Sequence, residues 1–187
     1  MIRILAISGS LRRFSSNTTL LQAAARLAPP GVEITQYDGL AELPHFNPDL
    51  EGSDPATVVN FRERIKGSDG VLISSPEYAH GVPGALKNAL DWIVGSGELV
   101  DKPVALLNAS PRATLAQASL TETITVMSAH VVKEASLRIP LMGRNLDASG
   151  VAGDPELARL LAAAMAEFTT AIENSLSNAR GLVESTV

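Results

Sequence analysis

Two short stretches concentrate side chains of the kinds that hold a small polar molecule. The first, Ser8-Gly9-Ser10-Leu11-Arg12-Arg13-Phe14-Ser15-Ser16-Asn17, gathers hydroxyls, an amide, two guanidiniums and a glycine ahead of a helical pattern. A helix start exposes unpaired N–H groups and the positive end of its dipole, and Ser10, Ser15, Ser16 and Asn17 add hydrogen bonds, so the stretch fits a terminal phosphate. It matches neither a Walker loop, since no Gly-Lys-Ser/Thr follows, nor the dinucleotide G-x-G-x-x-G. A plainer reading stands beside it, in which Ser16 or Asn17 only caps the helix and the arginines are solvated.

The second stretch, Ser74-Ser75-Pro76-Glu77-Tyr78-Ala79-His80-Gly81-Val82-Pro83-Gly84, combines prolines, glycines, an aromatic and a histidine. Pro76 and Pro83 restrict the backbone, which suits fixed polar contacts to the edge of a planar ligand, with Tyr78 or His80 flanking a ring face. Its plainer reading is a rigid strand-to-helix turn in which His80 and Glu77 are solvated. A third polar stretch, Asn108-Ala109-Ser110-Pro111-Arg112, is also unlike a generic linker.

Other chemistries are excluded or disfavoured. With no cysteine there is no thiol nucleophile, disulfide or thiolate metal cluster, so redox work requires a bound cofactor. His45, His80 and His130 are widely spaced and lack partners four residues away, which argues against a metal site. A serine hydrolase built on Ser10 or Ser96 with His80 lacks a G-x-S-x-G elbow and an acid partner.

The elements that position these stretches alternate. Ile4 to Ile7, Val71 to Ile73 and Val104 to Leu107 are continuous apolar runs, as in strands covered on both faces. Glu33 to Tyr37 alternates like an edge strand, and a fifth candidate spans Val131 to Leu137. Helical spacing recurs in Leu20-Leu21-Ala24-Leu27, from Pro55 to Gly67, in Leu86-Ala89-Leu90-Ile93, from Leu115 to Met127, and in a last long stripe from Leu157 to Leu176. Met127, Met142 and Met165 read as core filling, and Pro44 to Pro55 as a solvated connection. Trp92 is equally compatible with the core and with a subunit contact. The order predicts one α/β domain over residues 1–180, a doubly wound five-stranded parallel sheet of flavodoxin-like order 2-1-3-4-5, with 181–187 as a tail that frays. In such a sheet the three polar stretches meet outside the carboxyl ends of the strands.

The chain has 187 residues, enough for one full core, with 45% hydrophobic and 19% charged residues and a mean hydropathy of +0.16, which excludes a disordered regulator. A net charge of −5 removes the driving force for broad nucleic-acid binding. No apolar stretch approaches a membrane span and the amino terminus lacks a signal-peptide pattern, so a cytoplasmic location is expected.

Gly9-Ser10-Leu11-Arg12 with Ser15 and Asn17, and Pro76-Glu77-Tyr78 leading through Pro83-Gly84 to Leu86-Lys87-Asn88-Ala89-Leu90-Asp91-Trp92, resemble the NADPH-dependent FMN reductase family over about residues 1–140. The resemblance implies that Ser10, Arg12, Ser15, Ser16 and Asn17 hold the FMN phosphate. It further implies that Pro76, Glu77, Tyr78, Ala79, His80 and Gly81 line the isoalloxazine and ribityl chain, and that Ser110 and Arg112 approach from the other side. Many relatives carry Asn-Tyr where this chain has Ala79-His80, and glycines where it has Ser110-Pro111-Arg112-Ala113-Thr114. The function so implied passes hydride from NADPH or NADH to FMN and on to a small acceptor such as a free flavin, quinone, azo compound or metal oxyanion, with no catalytic side chain. Arg112, Arg144 and Lys102 are candidates for a nicotinamide 2′-phosphate. The resemblance also implies a homodimer or homotetramer, and favours a contact for Trp92. The alternative is an FMN-binding electron carrier, which the 4% aromatic content disfavours.

Overall fold

The computed structural model describes residues 1–141 and 143–184. Its centre is a parallel sheet built from β1 (Ile2–Ser8), β2 (Val32–Tyr37), β3 (Gly70–Ser74), β4 (Pro103–Leu107) and β5 (His130–Val131) in the order β2-β1-β3-β4-β5, the order expected. Every residue of β3 and β4 is buried, whereas β2, at the edge, alternates between exposed and half-buried positions along most of its length. Continuous apolar runs and alternating ones thus mark the middle and the rim of one sheet.

The helices are α1 (Ser16–Arg26), α2 (Ala56–Lys66), α3 (Gly84–Asp91), α4 (Leu115–Val126), α5 (Ala148–Gly153) and α6 (Pro155–Glu184). Strand alternation divides the core in two. Ile4, Ala6, Leu72, Ala105 and Leu107 pack against Leu20, Leu21 and Ala24 of α1 and Leu161, Phe168 and Ile172 of α6. Leu5, Ile7, Val71, Ile73, Val104 and Leu106 pack against Phe61 and Ile65 of α2, Leu86 and Leu90 of α3, and Leu120 and Ile124 of α4. Gly70 lets α6 close on β3: a Cβ there would lie 2.6 Å from Ile172 Cδ1 and 3.0 Å from Phe168 Cζ. Met127 and Met165 are buried in these cores, and Met142 lies outside the described residues.

The structure departs from the sequence reading in four places. The fifth strand is two residues long, not seven. After Val132 N–H bonds to the Val104 carbonyl, the chain turns away through Lys133 to Ser136, and Ser136 Oγ takes the Leu106 N–H at 3.0 Å in place of a strand carbonyl. It returns beside the residue just after β4, where Ile139 N–H meets the Asn108 carbonyl. Secondly, the connection from Pro44 to Pro55 is largely exposed, as expected, but is tied down at its start. Asn88 Nδ2 and Trp92 Nε1 both donate to the Pro44 carbonyl (2.9 and 2.7 Å), and Asn88 Oδ1 accepts the Phe46 N–H. Thirdly, Trp92 is 1% exposed within the single chain, with Phe46 edge-on at 5.2 Å, so its burial is complete without a subunit contact. Lastly, α6 runs to Glu184, past the boundary set at 180, and residues 185–187 of the expected tail lie outside the described residues.

Candidate functional site

Strand order reverses between β1 and β3, and the loops after β1, β3 and β4 leave the sheet around that point. Ser8 pairs with Ser74, and Gly9 N–H donates to the Ser74 carbonyl at 2.8 Å, so the first two loops start side by side. The approach leaves Gly9 no room for a side chain, since a Cβ would sit 2.9 Å from Ser75 Oγ and 3.0 Å from Leu86 Cδ2.

The first loop enters α1 through Ser15, which is the N-cap: its Oγ accepts the Asn17 N–H at 3.3 Å. Ser16 and Asn17, the two residues expected on the plainer reading to cap, are the first two residues of the helix itself. Asn17 is buried, and its Oδ1 accepts the Ser74 hydroxyl at 2.9 Å, which fastens α1 to the end of β3. Ser8 and Thr18 join their hydroxyls at 2.8 Å beside it.

Three serines have the same local arrangement. Ser10 Oγ accepts the Arg12 N–H at 3.3 Å, Ser15 Oγ that of Asn17, and Ser110 Oγ that of Arg112 at 3.2 Å. Each hydroxyl is held by the bond it accepts and keeps its own hydrogen to donate. The loops enclose a cavity of about 340 Å³, within the range of roughly 300–1,000 Å³ common for small-ligand sites. Ser10, Arg12, Ser15, Ser16 and Asn17 line it from the first loop, and Pro76, Glu77 and Tyr78 from the second. The third loop supplies Ala109, Ser110, Arg112 and Ala113.

Ala79, His80 and Gly81 are not brought into that wall. Tyr78 and Gly81 exchange two backbone hydrogen bonds (3.2 and 3.0 Å) and close a two-residue turn. At its tip Ala79 (φ 49°) and His80 (φ 62°) are both left-handed and exposed. Of the three candidates for a nicotinamide phosphate, Arg112 alone lines the cavity. Arg144 faces Asp154 at 3.5 Å, and Lys102 sits just ahead of β4, at the opposite end of the sheet, bonded to the Ser68 carbonyl. Burial there lowers the Lys102 pKa, against the pull of Asp69.

The charge balance of the cavity favours an anion. Neither Arg12 nor Arg112 enters an ion pair among the described residues. The single carboxylate of the lining, Glu77, has both oxygens engaged: Oε2 accepts the Ala116 N–H at 2.8 Å and Oε1 faces His80 Nδ1 at 3.2 Å. The Ala116 N–H, aided less strongly by His80, holds the Glu77 carboxyl below the usual glutamate value despite some burial. No group of three or more potential metal ligands is gathered among the described residues, and none of the described helices is long and apolar enough to cross a membrane.

Comparison with known proteins decides the family. The profile of the NADPH-dependent FMN reductases matches residues 2–141, three quarters of the chain. The chain belongs to that family. An NAD(P)H-dependent FMN reductase of Pseudomonas aeruginosa is 36% identical over 155 residues, covering 80% of this chain and 83% of the relative. A quinone reductase of Escherichia coli K12 is 36% identical over 106 residues, 56% of this chain and 55% of the relative, so that match spans about half of each. Among solved structures, a flavoenzyme NAD(P)H:(acceptor) oxidoreductase from Paracoccus denitrificans superposes with a TM-score of 0.84 at 30% identity, covering 94% of this chain and 99% of that one.

The residues of this family member fit a flavin mononucleotide at the level of donor chemistry. The hydroxyls of Ser10, Ser15, Ser16 and Ser110 and the guanidiniums of Arg12 and Arg112, neither in an ion pair among the described residues, line the cavity, and its one carboxylate, Glu77, is already hydrogen-bonded. Sequence reading missed Ala109 and Ala113, small buried side chains that carry no chemical signal. It also missed Asn108 as the organiser of the third loop. Asn108 Nδ2 donates to the Ala113 carbonyl at 2.6 Å and Oδ1 accepts the Ser110 N–H at 2.8 Å, folding the loop back without glycines. An asparagine directly after a buried strand was the available signal.

Proposed function

We propose that the protein is an NAD(P)H-dependent FMN oxidoreductase that reduces small acceptors of the quinone or flavin type. The observation that carries the reading is the donor-rich cavity at the strand-order reversal, whose one lining carboxylate is already hydrogen-bonded, in a chain of the FMN reductase family. Ser10, Ser15 and Ser16, with the start of α1 and Arg12, bind the phosphate of FMN. Pro76 and Tyr78 bound the ring on one side, and Ser110 and Arg112 offer hydrogen bonds and positive charge on the other. Bound FMN would supply hydride acceptance from NADPH or NADH and donation to the next acceptor. The residues of the chain bind, orient and stabilise charge, and none serves as a nucleophile or metal ligand.

The quinone reductase and NAD(P)H:(acceptor) oxidoreductase names borne by relatives support the choice of acceptor. The reaction draws on reduced nicotinamide nucleotides and is placed in the cytoplasm, without a nucleic-acid partner. The proposed assembly is a homodimer, or a tetramer made of two: Leu11, Phe14, Tyr78 and Leu115, next to or within the lining, are more than half exposed, and a second copy covering them would wall the cavity.

An anaerobic absorbance titration tests the function. Addition of FMN should give a yellow complex, and NADPH or NADH should bleach it in equal stoichiometry. A complex that neither nucleotide bleaches would mark an electron carrier and overturn the reductase, and failure to take up FMN would overturn both.

A further inference from the structure

The walls of the cavity come from separate stretches of chain, and sheet pairing aligns only the points at which they leave β3 and β4. Past those points a further tie is needed to keep Tyr78 and Arg112 at a fixed spacing. The loop after β3 and the start of α4 are joined through the Glu77 carboxylate, whose Oε2 accepts the Ala116 N–H at 2.8 Å. Ala116 is the second residue of α4, and Thr114, the helix's own N-cap residue, makes no side-chain cap bond. Glu77 therefore caps the helix from a separate loop, satisfying an orphan N–H and placing negative charge at the positive end of the dipole. The loop between is pinned at its near end by Asn108, through the Ser110 N–H and the Ala113 carbonyl, and at its far end by Glu77.

We infer that Glu77 is a positioning residue that sets the width of the cavity, by tying the loop after β3 to the amino end of α4 and so holding Ser110 and Arg112 in place. This deepens the proposed function and rests on it for the identity of the ligand. The tie itself is a property of the ligand-free chain. Glu77 acts through Ala116, with His80, exposed and from the same turn as Tyr78, on its other oxygen. The sequence motif Pro76-Glu77-Tyr78 gains a physical reason: the carboxylate ties the loop to α4, and the aromatic beside it is held relative to the opposite loop.

The test compares wild type with Glu77→Gln, which keeps an acceptor for the Ala116 N–H, and Glu77→Ala, which does not. FMN affinity by fluorescence quenching should fall roughly tenfold in the alanine variant and stay within about threefold in the glutamine variant. The visible circular dichroism of the bound flavin should change in the former and be kept in the latter. In the ligand-free wild type, the Ala116 amide proton resonance should shift as Glu77 is protonated in acid, and in Glu77→Gln it should not. An alanine variant with wild-type affinity and dichroism, or an Ala116 resonance that ignores acid, would overturn the inference. If wild type takes up no FMN, the proposed function fails while the Ala116 titration still decides the tie. If the alanine variant does not fold, the wild-type titration and the glutamine variant decide it.

Discussion

At the level of single residues, the site depends on hydroxyls that are already committed once. Ser15 gives its lone pair to the Asn17 N–H and keeps its hydrogen, while Arg12 is exposed and has no ion-pair partner among the described residues. Charge-assisted contacts of this type contribute about 1.5–3 kcal/mol each, so Arg12→Ala with Ser15→Ala should weaken FMN binding by at least tenfold and leave the far-ultraviolet circular dichroism unchanged. Equal affinity by isothermal titration would sink the placement of the phosphate. Ala79 offers an opposite prediction. A non-glycine residue at φ 49° costs about 1–2 kcal/mol, glycine returns about 0.5–1 through unfolded-chain entropy, and Ala79→Gly should therefore stabilise the fold by roughly 0.5–1 kcal/mol in urea denaturation. Glu77 sets a pH dependence. Its folded pKa is lowered, chiefly by the Ala116 N–H, so its contribution is fully present above the ordinary glutamate value and is lost as pH falls through the lower folded one. The stability gap between wild type and Glu77→Gln should hold at neutral pH, begin to narrow as pH falls below the ordinary glutamate value and close as it passes the lower folded one. Which side chains line the cavity was largely legible, because hydroxyls, arginines and prolines cluster visibly in Ser8 to Asn17 and Ser74 to Gly84. That Ser15, not Ser16 or Asn17, caps α1, and that Glu77 caps α4, was not legible, since both depend on where a helix begins to within one residue.

Among the elements, legibility followed burial. β1, β3 and β4 are covered on both faces and declare themselves as unbroken apolar runs, and the long apolar stripe of α6 does the same at helical spacing. β5 did not, because Ser136, a polar residue inside the candidate run, supplies with its hydroxyl the acceptor that a strand carbonyl would give. Ser136→Ala should leave the Leu106 N–H unpaired and lower stability by about 1–3 kcal/mol, read from chemical denaturation. The stretch from Pro44 to Pro55 misled for a different reason. Its partners Asn88 and Trp92 are more than 40 residues away, and local composition cannot report a bond across that separation. The contact of α6 with β3 depends on a missing side chain. Gly70→Ala would press a methyl group into Ile172 and Phe168 and should cost about 1–3 kcal/mol, with a matching fall in thermal midpoint.

Across the whole molecule, two apolar cores sandwich one sheet and the cavity lies at one end of it, so the polar chemistry and the packing are spatially separate. The cavity lining draws on three loops whose strands are adjacent in space but lie far apart along the chain: residues 10–17, 76–78 and 109–113. A polypeptide emerging from the ribosome therefore offers no complete cavity until its fourth strand has paired, and the loop of residues 10–17, though made first, waits through more than half of synthesis for the rest. Any ligand held by all three loops would stabilise only molecules that have already assembled the cavity, acting as a ratchet on the finished fold and not as a template for it.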